Sequence, residues 1–198
     1  MNKIAQMWRI ATHPRELRLA LSGLGARLGG DEAMGGLTEE ETAALVRWAS
    51  DADVETFVEI GTLFGLTANA VARGTRAKVT AVDNFCWNPF GLTSAQHEVF
   101  ARRILAGSGV ELVNADAVDF LGGLSRRFDA ARTMVFLDGS HAYDDVKREI
   151  ELCRAQGVRM ISGHDFGNVR FGVTQAVRET LGEPDEVCGM CWTRRLGR

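Results

Sequence analysis

Phe57-Val58-Glu59-Ile60-Gly61-Thr62-Leu63-Phe64-Gly65-Leu66-Thr67 is the stretch on which the reading of this chain turns. An apolar run ends at an acid, and two glycines follow four residues apart. Ala68 to Arg73 then reads as a helix. A strand running into a glycine-bearing turn and a helix is how α/β proteins hold nucleotide-like ligands. Glycine admits close backbone approach, and a helix N-terminus offers unpaired N–H groups. The next apolar run, Val79-Thr80-Ala81-Val82, ends at Asp83, which lies 22 residues beyond Gly61. An acid at that distance is expected to bind a ribose.

From Val54 onward the chain alternates. Thr56–Ile60, Lys78–Val82, Val110–Val113, Thr133–Leu137 and Arg159–Ser162 read as fully buried strands. Thr67–Arg73, Ser94–Ala106, Ala117–Arg126, Tyr143–Ala155 and Val173–Leu181 read as the helices between and after them. Buried strands separated by helices predict a doubly wound α/β fold, a mostly parallel sheet with helices on both faces. Glu186–Cys188 and Cys191–Arg194 read as two short final strands about a turn at Gly189-Met190, a C-terminal antiparallel addition. Ahead of the sheet, Thr38-Glu39-Glu40-Glu41 is an N-cap with acids in the first turn, opening a helix to about Trp48. Pro14 opens another helical stretch, broken by glycines from Gly23 to Gly36. Residues 1–50 are therefore expected to form a helical extension, a lid or an oligomer contact, ahead of a ligand-binding catalytic domain over 51–198.

In such sheets, ligands lie beyond the carboxyl ends of the strands. All five strand ends here carry polar chemistry: Glu59-Ile60-Gly61, Asp83-Asn84, Asn114-Ala115-Asp116-Ala117, Asp138-Gly139-Ser140-His141 and Gly163-His164-Asp165.

Composition bounds the function classes. The 198 residues suit one domain, and such a domain buries roughly 70% of its unfolded surface. The net charge is −3 with acids and bases interspersed, and no basic tract argues for nucleic acid. No run approaches the roughly 18 apolar residues of a membrane span. The first residues lack a long apolar stretch before Arg9, so a cytoplasmic protein with four reduced cysteines is expected.

These residues resemble the class I S-adenosylmethionine-dependent methyltransferases, a Rossmann-like family, over about Glu55 to Leu181. Within it they resemble a small stand-alone subgroup related to catechol-type and sugar O-methyltransferases, through Phe136-Leu137-Asp138-Gly139-Ser140-His141-x-Tyr143 and Gly163-His164-Asp165-Phe166. The resemblance implies an enzyme that binds S-adenosylmethionine through Glu59, Gly61, Thr62, Gly65, Thr67, Asp83, Asn84, Asp116, Ala117 and Asp138. Asp116 would read the adenine amino group, although an Asp at that point also suits a plain helix cap. The acceptor is expected to be a small molecule methylated on a hydroxyl. One departure stands out: catechol-type enzymes carry Asp-Asn at the fifth strand, whereas Phe166 follows Asp165 and the nearest Asn is Asn168.

Methyl transfer needs alignment and the loss of an acceptor proton. Asp138, His141, His164 and Asp165 are the candidates for that chemistry. Asp138 and Asp165 could hold a divalent ion such as Mg2+ through oxygen. Without a metal, His141 or His164 becomes the base. Asn84 to Leu92 is an aromatic loop at the cofactor's expected edge, where Phe85 or Trp87 either walls the ligand or tucks inward. His13 and His97 read as ordinary surface residues, and Cys188 and Cys191 as residues flanking a turn. Met7, Trp8 and Ile10 either meet a second copy of the chain in a homo-oligomer or cover the sheet. Two other classes compete. A nicotinamide-dinucleotide oxidoreductase wants a third glycine, which position 63 lacks. A non-catalytic ligand-binding protein could share the fold.

Overall fold

The structure is a computed structural model that describes residues 37–87 and 92–197. Seven strands form one sheet: β1 (Thr56–Ile60), β2 (Lys78–Asp83), β3 (Glu111–Asn114), β4 (Thr133–Leu137), β5 (Met160–Gly163), β6 (Glu186–Cys188) and β7 (Cys191–Arg195). Their spatial order is β3-β2-β1-β4-β5-β7-β6. The first five are parallel, β7 runs antiparallel to β5, and β6 antiparallel to β7. The order reverses between β1 and β4, so the crevice for a ligand opens beyond Ile60 and Leu137, which face each other across the ladder.

Six α-helices flank the sheet among the described residues: α1 (Glu39–Ala49), α2 (Leu66–Gly74), α3 (Ser94–Leu105), α4 (Ala117–Gly122), α5 (Tyr143–Ala155) and α6 (Val173–Leu181). Successive strand residues point to opposite faces, and the two cores divide accordingly. Val58, Ile60, Val135 and Leu137 meet α4, α5 and α6 on one side. Phe57, Met134 and Phe136 meet α1 and α2 on the other. The expected doubly wound sheet and its antiparallel end are both present. Helix α1 belongs to the second core through Ala44, Leu45 and Trp48. No helix among the described residues is long and apolar enough to cross a membrane.

Two elements depart from expectation. Strand β3 is not buried throughout; its ends are exposed because it closes the sheet and pairs with β2 alone. The helix expected over Ala117–Arg126 stops at Gly122, and a 3-10 turn covers Leu124–Arg126. Gly122-Gly123 accounts for the break, since glycine carries the greatest backbone entropy into a helix. Pro14, the glycine-rich stretch after it, His13, Met7, Trp8, Ile10 and the 88–91 part of the aromatic loop lie outside the described residues.

Candidate active site

All five parallel strands deliver their carboxyl ends to one cavity of about 1040 Å³. Glu59, Gly61, Thr62, Thr67, Asp83, Asn84, Asp116, Ala117 and Asp138 border it, as do His141, His164 and Asp165. Gly65 does not. It caps α2 at φ +79, and an added Cβ would stand 2.8 Å from the Leu105 side chain. Its positive φ and its packing against Leu105 both call for glycine at this position. Gly61 serves both needs: it borders the cavity, holds φ +84, and its missing Cβ lets the β1 loop press against the Asp138 carbonyl and Gly139.

The loop after β1 is held by two acids. Thr62 donates its hydroxyl to Glu59, which is buried at the cavity floor. Burial pushes the Glu59 carboxyl well above its ordinary pKa; Thr62 opposes this, and Asp138 and Asp83 add to it. Asp83 accepts the Leu63 N–H at 2.8 Å and the Phe85 N–H at 2.6 Å. One carboxylate thereby joins the β1 and β2 loops. Asp116 caps α4, its Oδ1 accepting from Val118 N–H at 2.9 Å and, more weakly, Asp119 N–H at 3.4 Å.

The second half of the cavity gathers the β4 and β5 ends. His141 Nδ1 lies 3.1 Å from Asp165 Oδ2, and its ring stacks on Phe171 with centroids 4.5 Å apart. His164 Nδ1 lies 3.8 Å from Asp138 and 3.7 Å from Asp165, and its Nε2 lies 3.4 Å from Glu41. Asn168 donates to Asp165 Oδ1 at 2.9 Å. An amide is thus supplied to Asp165 from three residues downstream, while Phe166 packs against the core.

The two histidines sit in opposite electrostatic settings. Burial lowers the pKa of His141 and His164 opposes its protonation, with Asp165 pulling the other way. Burial also works against a charged His164, but Asp165, Asp138 and Glu41 outweigh it and raise its pKa to about 9. The surroundings thus favour the imidazolium at His164 and the neutral imidazole at His141. Asp138 is pushed up to about 8, chiefly by burial, with His164 tempering the rise.

A sequence model described as a methyltransferase domain matches residues 58–158, just over half of the chain. The chain belongs to this methyltransferase family. No curated protein matches it significantly. Among solved structures, cofactor-bound Rv0187 from MTB is similar at 22% identity, with 88% of this chain and 86% of that chain covered and a TM-score of 0.55. The O-methyltransferase from Bacillus cereus in complex with SAH is 17% identical over 84% of this chain and 76% of its own, with a TM-score of 0.58. TomG, an O-methyltransferase from Streptomyces achromogenes in complex with SAM, is 18% identical over 80% and 79%, also at 0.58. At such identities the likeness shows a shared fold.

In this methyltransferase the aromatic loop divides its side chains. Phe85 turns inward at φ +56 and is fully buried, while Trp87 is 66% exposed at the cavity rim. His97 corrects its surface assignment. It is buried between Phe64 and Phe85, with Nε2 2.9 Å from the Leu63 carbonyl, and burial lowers its pKa. Its place on the inner face of α3 follows from helical spacing with Ala101 and Leu105, a signal available in the sequence.

Three cavity residues escaped the sequence reading. Glu41 does form the capping box with Thr38, yet its Oε1 also accepts the Met190 N–H at 2.7 Å and reaches His164. Glu149 borders the cavity from α5, and Phe171 from the loop ahead of α6. Glu41 was legible only as a helix cap and the other two fall in no motif; tertiary packing brings all three to the cavity. The four cysteines are free, and Cys188 and Cys191 flank the β6–β7 turn as expected. Among the described residues two groups place potential metal-ligating atoms within 4.8 Å of one another: Asp138 with His141 and Asp165, and Glu41 with His164 and Cys191.

Proposed function

We propose that this methyltransferase transfers a methyl group from S-adenosylmethionine to a hydroxyl of a small-molecule acceptor, with His141 as the base. The observation that carries the reading is the convergence of five strand ends on one cavity. A glycine loop and Asp83 lie at one end and the Asp165–His141 pair at the other. The cavity is large enough for a nucleoside and a small acceptor together, and the cradle at Gly61 brings backbone to its wall. These residues fit the cofactor. The solved O-methyltransferases of like fold that hold SAH or SAM support the same assignment.

When bound, S-adenosylmethionine supplies a methyl carbon already activated by positive sulfur. The chain supplies the rest. Asp83 and Asp116 offer acceptors to the ribose and base. Asp165 holds the His141 Nδ1–H, leaving Nε2 to take the acceptor's proton. His164, cationic beside Asp165, offsets the charge of that carboxylate.

A divalent cation is the second reading, and the grouping of Asp138, His141 and Asp165 favours it. These side chains would hold the ion, which would lower the pKa of an acceptor hydroxyl. The mixed nitrogen and oxygen donors suit a transition metal better than Mg2+. We assign the enzyme to the cytoplasm, which suits its free thiols. We read its partner as a small molecule, with no nucleic acid or membrane. Residues 1–50 are read as an extension ahead of a catalytic unit over 51–198, with α1 built into the core of that unit and the lid or homo-oligomer contact left to the residues before it.

Calorimetric titration with S-adenosylhomocysteine tests the reading, followed by methyl transfer across a panel of hydroxyl acceptors. Micromolar binding that is lost in Asp83→Ala supports it; binding unaffected by Asp83→Ala sinks it. Dialysis against EDTA separates the two chemistries, since activity that survives chelation assigns the proton to His141.

A further inference from the structure

Glu41, His164 and Cys191 meet on the α1 side of the cavity, away from the Asp165–His141 pair that carries the acceptor's proton. Each offers one ligand atom, a carboxylate oxygen, a ring nitrogen and a thiol sulfur, and these atoms lie within 4.8 Å of one another. The three come from distant parts of the chain. Glu41 lies on α1, His164 follows β5, and Cys191 opens β7. The antiparallel register that pairs Gly163 with Trp192 sets His164 opposite Cys191, one step further along. Glu41 reaches the same turn by accepting the Met190 N–H at 2.7 Å. Glu41 and Cys191 are both buried.

The side chains are oriented as ligands would be. His164 Nε2 is buried, lies 3.4 Å from Glu41 Oε1, and has no hydrogen-bond partner. Such an atom weighs against the fold unless something else engages it. The other ring nitrogen, Nδ1, faces Asp138 at 3.8 Å and Asp165 at 3.7 Å. A carboxylate behind the far nitrogen is the arrangement that fixes a metal-bound imidazole. Glu41 is held in a comparable way. Its Oε2 accepts the Thr38 N–H at 2.9 Å, which leaves Oε1 turned toward the cluster.

We propose that Glu41, His164 and Cys191 form a site for one divalent transition-metal ion of the zinc type, which ties α1 and the start of β7 to the end of β5. Sulfur, nitrogen and oxygen donors together select Zn2+ over Mg2+, which takes oxygen. On binding, the Cys191 thiol releases its proton to solvent, as does His164 Nε2 where it carries one. The thiolate and the Glu41 carboxylate then balance the two positive charges, so no unpaired charge is buried. Three protein ligands leave a fourth position, and the cavity that Glu41, His164 and Met190 border can supply a water to it. The site shares no residue with the group of Asp138, His141 and Asp165. It goes beyond the methyl-transfer reading and does not depend on it.

The full-length protein, dialysed against a chelator and then against chelator-free buffer, is titrated with Zn2+ and, separately, with Co2+. One equivalent of Zn2+ is expected to bind and, at a hundredfold excess over Kd, to raise Tm by about 5–10 °C. Bound Co2+ is expected to show a thiolate-to-cobalt charge-transfer band, which nitrogen and oxygen donors alone do not give. Cys191→Ser is expected to abolish that band and to weaken Zn2+ binding by roughly tenfold or more. Cys188→Ser and His141→Ala are expected to keep both, since neither residue belongs to the site. A band that survives in C191S, or Zn2+ binding that is lost in H141A and kept in C191S, puts the ion elsewhere and overturns the proposal. Failure of wild type to bind Zn2+ overturns it as well. Should C191S not fold, Glu41→Gln carries the test, because its amide keeps an acceptor for the Met190 N–H. A loss of roughly tenfold in Zn2+ affinity with the sulfur band retained supports the site; unchanged affinity in E41Q removes it.

Discussion

His141 and His164 show how neighbours assign roles to identical side chains. Both lie in the same two blocks that the sequence marks as chemical, and nothing in those blocks separates them. The separation comes from Glu41 and Asp138 closing on His164, whereas His141 meets Asp165 and the apolar Phe171 ring. His141 must be neutral to act. Because burial lowers its pKa, kcat/KM is expected to rise with pH along a limb below the ordinary histidine value. Asp165→Asn removes the opposing attraction, so that limb moves further to acid. His141→Ala is expected to lower kcat by about 10²–10⁴. A pH–rate series checks both; an unshifted limb in Asp165→Asn removes the pair from the mechanism. His164 bears on stability with a definite sign. Its pKa is raised from 6.5 to about 9, so its contribution is whole below pH 6.5 and is lost as pH rises through about 9. Asp138, raised to about 8, loses stability in the same direction. Denaturation midpoints are expected to fall from pH 6.5 to 9, and to fall less steeply in His164→Gln.

At the scale of elements, the turns after the strands do more than admit a ligand. The β1 loop is pressed against the β4 loop at Gly61 and tied to β2 by Asp83. Gly61→Ala would place a Cβ in the Asp138–Gly139 backbone at a φ of +84. A strain of about 1–3 kcal/mol attaches to such a backbone alone. Urea denaturation is expected to show at least that loss, and titration a loss of S-adenosylhomocysteine binding. Helix α1 is tied in a comparable way: Glu41 completes the capping box and accepts Met190 N–H from the β6–β7 turn. The cap was legible because Thr38 and Glu41 are three residues apart. The second bond was not, because it spans 149 positions.

For the whole molecule, the sheet's two faces are packed separately, and the cavity lies where the strand order reverses. A ligand there touches elements from α1 to the β6–β7 turn. It should stabilise the described fold as one unit. At a hundredfold excess over Kd, linkage contributes about 2.7 kcal/mol. For a chain of this size that is roughly 5–10 °C in Tm. A thermal melt with S-adenosylhomocysteine checks this; an unchanged Tm at saturating ligand would exclude binding to the native state.

The amino-acid order by itself determined the alternating strands and helices, the antiparallel end and the polar strand tips that mark one edge of the sheet. These are local signals, written in apolar runs, caps and glycines. Only the tertiary structure decided that β3 would be an exposed edge, that His97 would be buried, and which histidine would carry charge. It also decided that Gly65 would serve packing and that Glu41 and Glu149 would enter the cavity. Burial and electrostatic environment depend on neighbours far away in sequence, and no local pattern records them.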